Sequence, residues 1–435
     1  MNEDAVFKRY DVRGKYPEEL NEEFAERIGK SLGTFVKRNY SSKVAVTRDT
    51  KKSSVSLKNS LIEGLTSTGV DVIDAGVGPT DYTGFVGEKE ECVSVQVTSS
   101  HMPLEFNGFK FIYPTGNGFV NEDLDQVKQL FRQKDFETGK GEENVRNYED
   151  AYKEAALDYL DKFAEDNEGT VVVETMGGAT KDFLPDLLEK IGFNVIDCGE
   201  SQESPYIDPP NPKPENLDHL VEKVEKNNAV LGIATDLDAD RVAAYWNGRW
   251  LTGDEVFCIF SKILQTDVVA SVDSSKALED TVKNYGKEIF YTRVGDPFVS
   301  DRMIKEDAGF SGEPNGHYCF PEFSGYNSGT LSALILAVTD LAPLLEDIPE
   351  YKVKKANFQV SDKEKAVKKI REHVRYKYNV ISDIDGVKFS TGQEDVLVRS
   401  SGSSPVVRFK GETQEGDLNH LKEEIENLLK NDLTK

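Results

Sequence analysis

Short β-branched runs alternate with helix-like runs through most of this 435-residue chain, and that alternation narrows the fold more than any other feature. Residues 43–46 read as a strand, 54–66 as a helix and 70–75 as a strand. Further on, 168–173 reads as a strand, 181–191 as a helix and 193–198 as a strand, and strand-like runs recur at 230–234, 268–272 and 289–292. Strand, helix and strand at this spacing make βαβ units, so the sheets should be mostly parallel. After residue 348 the pattern changes. Strand-like runs at 353–360, 387–389, 396–399 and 406–409 follow closely, and an amphipathic helix closes the chain at 417–429. The fold class is therefore α/β, with a C-terminal α+β unit. At about 150 residues per domain the length suggests about three domains. Polar or turn-like stretches at 137–149, 246–249 and 348–355 divide the chain further, into 1–143, 144–245, 246–348 and 349–435.

Hydrophobic residues make up 38% of the chain, enough for several cores, so wholesale disorder is excluded. The formal charge is −25, which makes nucleic acid and anionic membranes poor partners, because both need a basic face. Cys92, Cys198, Cys258 and Cys319 lie far apart and form no C-x-x-C pair, which argues against a disulfide framework or a zinc site. Residues 1–13 are charged and lack an apolar stretch, and the longest aliphatic run, 331–338, is too short to cross a bilayer. A cytoplasmic protein is the expectation.

The chemistry concentrates in a few short motifs. Asp236, Asp238 and Asp240, in the run D-L-D-A-D-R, directly follow a strand-like segment. Alternate residues of an extended chain point the same way, so three carboxylates converge. Packed like charges need a cation, and an all-oxygen set favours Mg²⁺. An EF-hand is rejected, since Arg241 and Asn247 stand where its loop needs Gly and Glu. The turn T-S-S-H-M-P at 98–103 exposes a hydroxyl just past a strand, where α/β proteins carry nucleophiles and anion sites. Neighbouring side chains rarely face each other, so Ser100 and His101 are not expected to form a dyad. In R-S-S-G-S-S-P at 399–405, Gly402 permits a positive φ, and amides and hydroxyls can form an anion nest. Arg399 and Arg408 can close a fork on phosphate oxygens. The loop G-E-P-N-G-H at 312–317 carries groups suited to sugar hydroxyls. Arg13, Arg48 and Lys51 lie near turns, while His219, His373 and His420 receive no role.

The order of these motifs resembles the α-D-phosphohexomutase superfamily, in particular its phosphomannomutase/phosphoglucomutase branch. The resemblance runs from Phe7 to Glu412 through Y-D-V-R-G, R-D-T-K-K-S-S, T-S-S-H-M-P with N-G-F-K, P-N-P with E-N-L, D-L-D-A-D-R, T-R-V-G-D, G-E-P-N-G-H and R-S-S-G-S-S-P-V-V-R. It implies three α/β domains and a C-terminal α+β domain around a central active-site cleft. Ser100 then resembles the serine carried as phosphoserine, and with Asp236, Asp238 and Asp240 it would hold Mg²⁺. Arg13, His101 and Lys110 resemble the groups around that serine that handle protons and charge. Arg241 would bind its phosphate, Glu313, Asn315 and His317 would read the sugar, and Thr292, Arg293 and Gly295 match a further substrate loop. Arg399, Ser401, Gly402, Ser403 and Arg408 resemble the clamp on the non-reacting phosphate.

Some positions depart from the family pattern. Ser99 and Met102 replace a common Ala and Asn around the serine, and Ser403 and Ser404 replace a common Thr-Glu. Asn315 stands for a common Ser, and Leu237 for a Gly that tolerates a positive φ; Leu does not adopt one without strain, so the metal loop is expected to differ slightly there. The activity implied is interconversion of hexose 6-phosphate and hexose 1-phosphate, for mannose or glucose, with a hexose 1,6-bisphosphate as intermediate and activator. The partner would be a small sugar phosphate, and the chain a monomer or homodimer. The rival readings are a phosphoglucosamine mutase and a sugar-phosphate-binding relative that has lost catalysis.

Overall fold

The structure, a computed structural model, describes residues 5–163, 168–199, 201–202, 204–401, 404–430 and 432–433. Four sheets follow one another along the chain. The first has the order Val12–Lys15, Phe106–Ile112, Val93–Val97, Lys43–Arg48, Asp71–Val77 and Glu143–Val145. Its four strands from Val93–Val97 to Glu143–Val145 are parallel, and the two at the other edge are antiparallel. The second sheet places Leu231–Thr235 and Asn194–Asp197 parallel on either side of Thr170–Glu174. A hairpin of Val242–Trp246 and Arg249–Trp250 extends it, so this sheet continues to Trp250. The third sheet orders Ile289–Thr292, Val268–Ser271, Phe310–Glu313 and His317–Cys319, with the last strand antiparallel. The fourth is wholly antiparallel, as the change of pattern after residue 348 predicts.

Local chemistry fixes the helix starts. Thr252 and Glu255 form a capping box at Gly253–Leu264. Ser275, Ser328 and Asp362 cap three further helices through their side chains.

The first unit has a large apolar core of its own, built on Phe24, Leu61, Val95 and Phe111. One apolar cluster runs from Ala45 through Val171 and Phe257 to Leu341, so the first three sheets share buried surface. The fourth sheet has a core of its own, built on Phe358, Ile370, Phe389, Val398, Phe409 and Ile425. Polar contacts join it to the third sheet. Lys410 Nζ donates to the Asp273 carbonyl at 2.7 Å, the Lys276 amide donates to Glu412 at 3.0 Å, and Tyr351 donates to Asp280 at 2.6 Å. An interface held by polar contacts of this kind is the sort across which domains move relative to one another.

The loop after Leu231–Thr235 is where the first three units meet. Its successive carbonyls at Leu237, Asp238 and Ala239 accept the amides of Ala179 at 2.7 Å, Thr80 at 2.9 Å and Gly329 at 2.8 Å. Thr80 and Gly329 begin the helices Thr80–Lys89 and Gly329–Val338. The loop thus docks on free N–H groups at two helix N-termini. Gly329 is required by close approach, because a Cβ there would meet the Arg241 carbonyl at 2.5 Å and the Ala239 carbonyl at 2.7 Å. The Gly329→Ala variant is expected to lose about 1–3 kcal/mol of stability through overpacking, read by denaturant unfolding. Unchanged stability would show that the loop does not hold this position.

Candidate active site

Asp236, Asp238 and Asp240 are fully buried, and one oxygen from each lies within 4.8 Å of the others. Left as bare carboxylates at that spacing, each pair would repel by roughly 3–4 kcal/mol at the effective dielectric of a protein site. The Lys110 ammonium answers part of this charge, at 2.7 Å from Asp238 Oδ2 and in contact with Asp240 Oδ2. Thr80 donates to Asp238 Oδ2 at 2.9 Å, while Asp238 Oδ1 has no partner among the described residues. A buried oxygen left unpaired beside two further carboxylates is placed to ligate a cation. Three carboxylates and a hydroxyl form an all-oxygen donor set that fits Mg²⁺.

The left-handed turn of this loop does not fall on Leu237. Leu237 is buried without a left-handed φ, and Ala239 takes that conformation instead, at φ 52°. A Cβ this small makes the left-handed turn affordable two residues later, so the three carboxylates still converge.

Ser100 reaches this cluster from the first unit. Its Oγ donates to Asp236 Oδ2 at 2.9 Å. Ser99, its neighbour, points elsewhere and accepts from Lys51 Nζ at 2.9 Å. Lys51, read from the sequence as an ordinary turn cation, is thus part of what fixes the serine loop. Ser100 itself has φ 52°, an uncommon conformation for a residue with a side chain and one that clusters at functional sites. That turn overturns one expectation, because it swings adjacent side chains together: Ser100 Oγ and His101 Nδ1 are 3.2 Å apart. Arg13 is buried behind the loop, paired with Asp11 at 2.8 Å and bonded to the Thr98 carbonyl.

The protonation states follow from these contacts. The nearby Arg241 charge, followed by burial, pushes His101 down to about 2, so the ring is neutral. Burial, then Asp240 and Asp238, raises Asp236 well above the usual carboxylate range. Burial acts the same way on Asp240, but Lys110 and His317 outweigh it and hold that carboxyl well below its ordinary value. Burial also opposes charge on His317, yet Asp240 at 3.1 Å holds the imidazole up to about 10. His317 Nε2 is shared between Asp240 Oδ1 at 3.1 Å and Arg241 Nε, which donates to it at 3.2 Å.

Through His317 the sugar-type loop joins the metal cluster. Glu313 of the same loop accepts the Gly295 amide at 2.8 Å, which brings the 292–295 segment alongside. Arg293 packs on the Phe298 ring at 3.6 Å, and the Thr292 carbonyl accepts the Val272 amide at 2.8 Å. Asn315 faces a cleft of about 1730 Å³ between the third and fourth units, which Arg399 and Arg408 also line. These two arginines sit opposite each other on paired strands. Arg399 lies 3.4 Å from Asp273 and 3.6 Å from Asp385, and Arg408 donates to Ser401 Oγ at 3.4 Å. Gly402 and Ser403 fall outside the described residues. The sequence alone did not single out Asp273, Asp385 or Thr80, since an acid or a threonine in a loop carries no signal until its partner is known.

Among the described residues, no helix is long and apolar enough to cross a membrane.

Comparison with known proteins agrees with this architecture. Family models described as phosphoglucomutase/phosphomannomutase α/β/α domains I, II and III match residues 4–138, 146–248 and 252–343. A protein of Thermococcus kodakarensis named phosphoglucomutase/phosphomannomutase is 33% identical, over 94% of each chain. A probable phosphoglucosamine mutase of Methanopyrus kandleri is 32% identical, over 93% of this chain and 92% of its own. The crystal structure of a phosphoglucomutase/phosphomannomutase family protein from Burkholderia thailandensis shares the fold. Its TM-score is 0.89 at 24% identity, covering 99% of this chain and 98% of that one.

In the unphosphorylated protein, the His101 ring should stay neutral from about pH 4 to about pH 8, because its charged form is disfavoured throughout that range. Imidazole ¹⁵N shifts report this directly. A titration near the ordinary histidine value would contradict the arrangement.

Proposed function

The chain belongs to the phosphoglucomutase/phosphomannomutase family, a family of mutases, and from that premise we propose that it moves a phosphoryl group between O6 and O1 of a hexose phosphate by way of phosphoserine at Ser100. The observation that carries the reading is the 2.9 Å contact between Ser100 Oγ, from the first unit, and Asp236 of the buried trio, from the second. The proposed units are 1–143, 144–245, 246–348 and 349–435.

Asp236, Asp238, Asp240 and Ser100 would hold Mg²⁺, which when bound supplies charge neutralisation at the transferring phosphoryl group. The chain's own residues do the rest. Neutral His101, with Nδ1 3.2 Å from a Ser100 Oγ whose own proton goes to Asp236, is placed to donate to that oxygen and orient it. Lys110, Arg13 and Arg241 build a positive pocket inside a chain of net charge −25, which would otherwise repel a dianionic sugar phosphate. Arg399, Arg408 and Ser401, together with Gly402 and Ser403 of the same sequence motif, clamp the phosphate that is not reacting. Because the clamp grips charge and not ring hydroxyls, it accepts the sugar in either direction, as a 1,6-bisphosphate that turns round between two transfers requires. Glu313, Asn315 and His317, with Thr292, Arg293 and Gly295, read the sugar. The polar joint of the fourth unit lets it close and exclude water, which protects phosphoserine from hydrolysis.

The preferred sugar is proposed to be mannose or glucose. Phosphoglucosamine is the second reading, supported by the relative of that name at nearly equal identity. Rates on mannose, glucose and glucosamine 1-phosphates, with Mg²⁺ and a bisphosphate activator, separate the two. A glucosamine rate far above the others would favour the second.

Two variants test the mechanism. Ser100→Ala should abolish turnover and the phosphate-sized mass gain after bisphosphate treatment while leaving the fold intact, whereas Ser99→Ala should keep both. Turnover in Ser100→Ala at the wild-type rate would refute the assignment and leave a binding protein or another nucleophile. Arg399→Met removes charge-assisted bonds worth about 1.5–3 kcal/mol, so kcat/KM should fall by about 10- to 150-fold. An unchanged kcat/KM would remove Arg399 from the clamp.

A further inference from the structure

We propose that Glu174, Cys198 and His219 form a second metal site on the second sheet, one that takes a zinc-class divalent ion and is separate from the aspartate trio. One potential ligand atom from each residue lies within 4.8 Å of the other two. The three residues come from three elements. Glu174 ends the strand Thr170–Glu174, Cys198 follows the neighbouring parallel strand Asn194–Asp197, and His219 lies in the first turn of the helix Asp218–Asn227. The Cys198 amide donates to the Val173 carbonyl at 2.8 Å, which fixes the thiol beside the carboxylate.

The Glu174 carboxylate is fully buried, and His219 Nε2 stands 2.5 Å from its Oε2. The Tyr206 hydroxyl reaches both carboxylate oxygens at 2.6 Å, and the Met176 amide donates to Oε1 at 2.5 Å. These contacts orient the carboxylate from behind, as outer partners of a metal ligand do. The donor set decides the ion. Mg²⁺ seeks oxygen, whereas one sulfur, one nitrogen and one oxygen suit Zn²⁺, and three protein ligands leave the fourth tetrahedral corner to water. Burial and then the Glu174 charge hold the Cys198 thiol up to about 12, so without a metal it remains protonated. On coordination the Sγ–H proton leaves to solvent as the sulfur–metal bond forms, and the imidazole proton moves from Nε2 to Nδ1.

The position has a consequence for the serine loop. The chain between Cys198 and His219 carries Asp208, whose Oδ1 accepts the Leu104 amide at 2.9 Å. Leu104 lies four residues beyond Ser100. An ion held at both ends of that segment ties down a support of the loop that presents the reactive hydroxyl.

Co²⁺ is the probe, added to chelator-treated full-length protein in excess Mg²⁺. One equivalent should produce a thiolate-to-cobalt charge-transfer band in the near ultraviolet, and Zn²⁺ should displace it. Cys198→Ser should abolish the band and Asp238→Asn should leave it in place. His219→Gln, at a half-exposed helix position that tolerates change, should weaken Co²⁺ binding at least about tenfold. Absence of the band in wild-type protein, or its survival in Cys198→Ser, would overturn the proposal and leave a hydrogen-bonded carboxylate with no ion.

Discussion

Three buried carboxylates on one short loop are the constraint that the rest of the molecule accommodates. Asp236, Asp238 and Asp240 are removed from water, and nothing apolar can stand beside them without great cost. The surroundings are correspondingly cationic, with Lys110 from the first unit, Arg241 next in the chain and His317 from the third unit. The backbone is held as firmly, since amides of Ala179, Thr80 and Gly329 take the three successive carbonyls between the first and last aspartate. Charge and backbone both require that three units arrive at one place. The shared apolar core supplies that arrangement, and the site is its product.

The fourth unit obeys another logic. It has its own core and meets the others through ion pairs and single hydrogen bonds. Arg399 rests between Asp273 and Asp385, carboxylates that a phosphate can replace. On the proposed reading, a fixed metal cluster and a separately built anion clamp suit a substrate that must be gripped, reversed and released. The large negative net charge then restricts attraction to the cleft itself.

The sequence made much of this visible. The βαβ alternation gave the first three sheets, and the compressed strands after residue 348 gave the antiparallel fourth. The aspartate run was legible because period-two spacing after a strand is a geometric statement. The expectation that Ser100 and His101 face apart failed because a left-handed residue reverses the usual divergence of neighbours, and nothing in T-S-S-H announces that φ. The metal loop was expected to differ slightly at Leu237, and its left-handed residue is Ala239, a position the sequence does not announce. Cys198 and His219 carried no signal at all. They are 21 positions apart; the parallel pairing of Thr170–Glu174 with Asn194–Asp197 brings Cys198 to the carboxylate, and the helix Asp218–Asn227 brings His219.

The account stands on a single ion shared between a serine of one unit and three aspartates of another. Mn²⁺ can replace Mg²⁺ in the phosphorylated protein, and electron–nuclear double resonance then reads the coupling between the metal and the phosphoserine ³¹P nucleus. The account predicts the strong coupling of a phosphate oxygen bound directly to the metal, lost when Asp238 becomes Asn. Tightly bound Mn²⁺ without ³¹P coupling would contradict it, because the carboxylates and the serine would then be serving different sites.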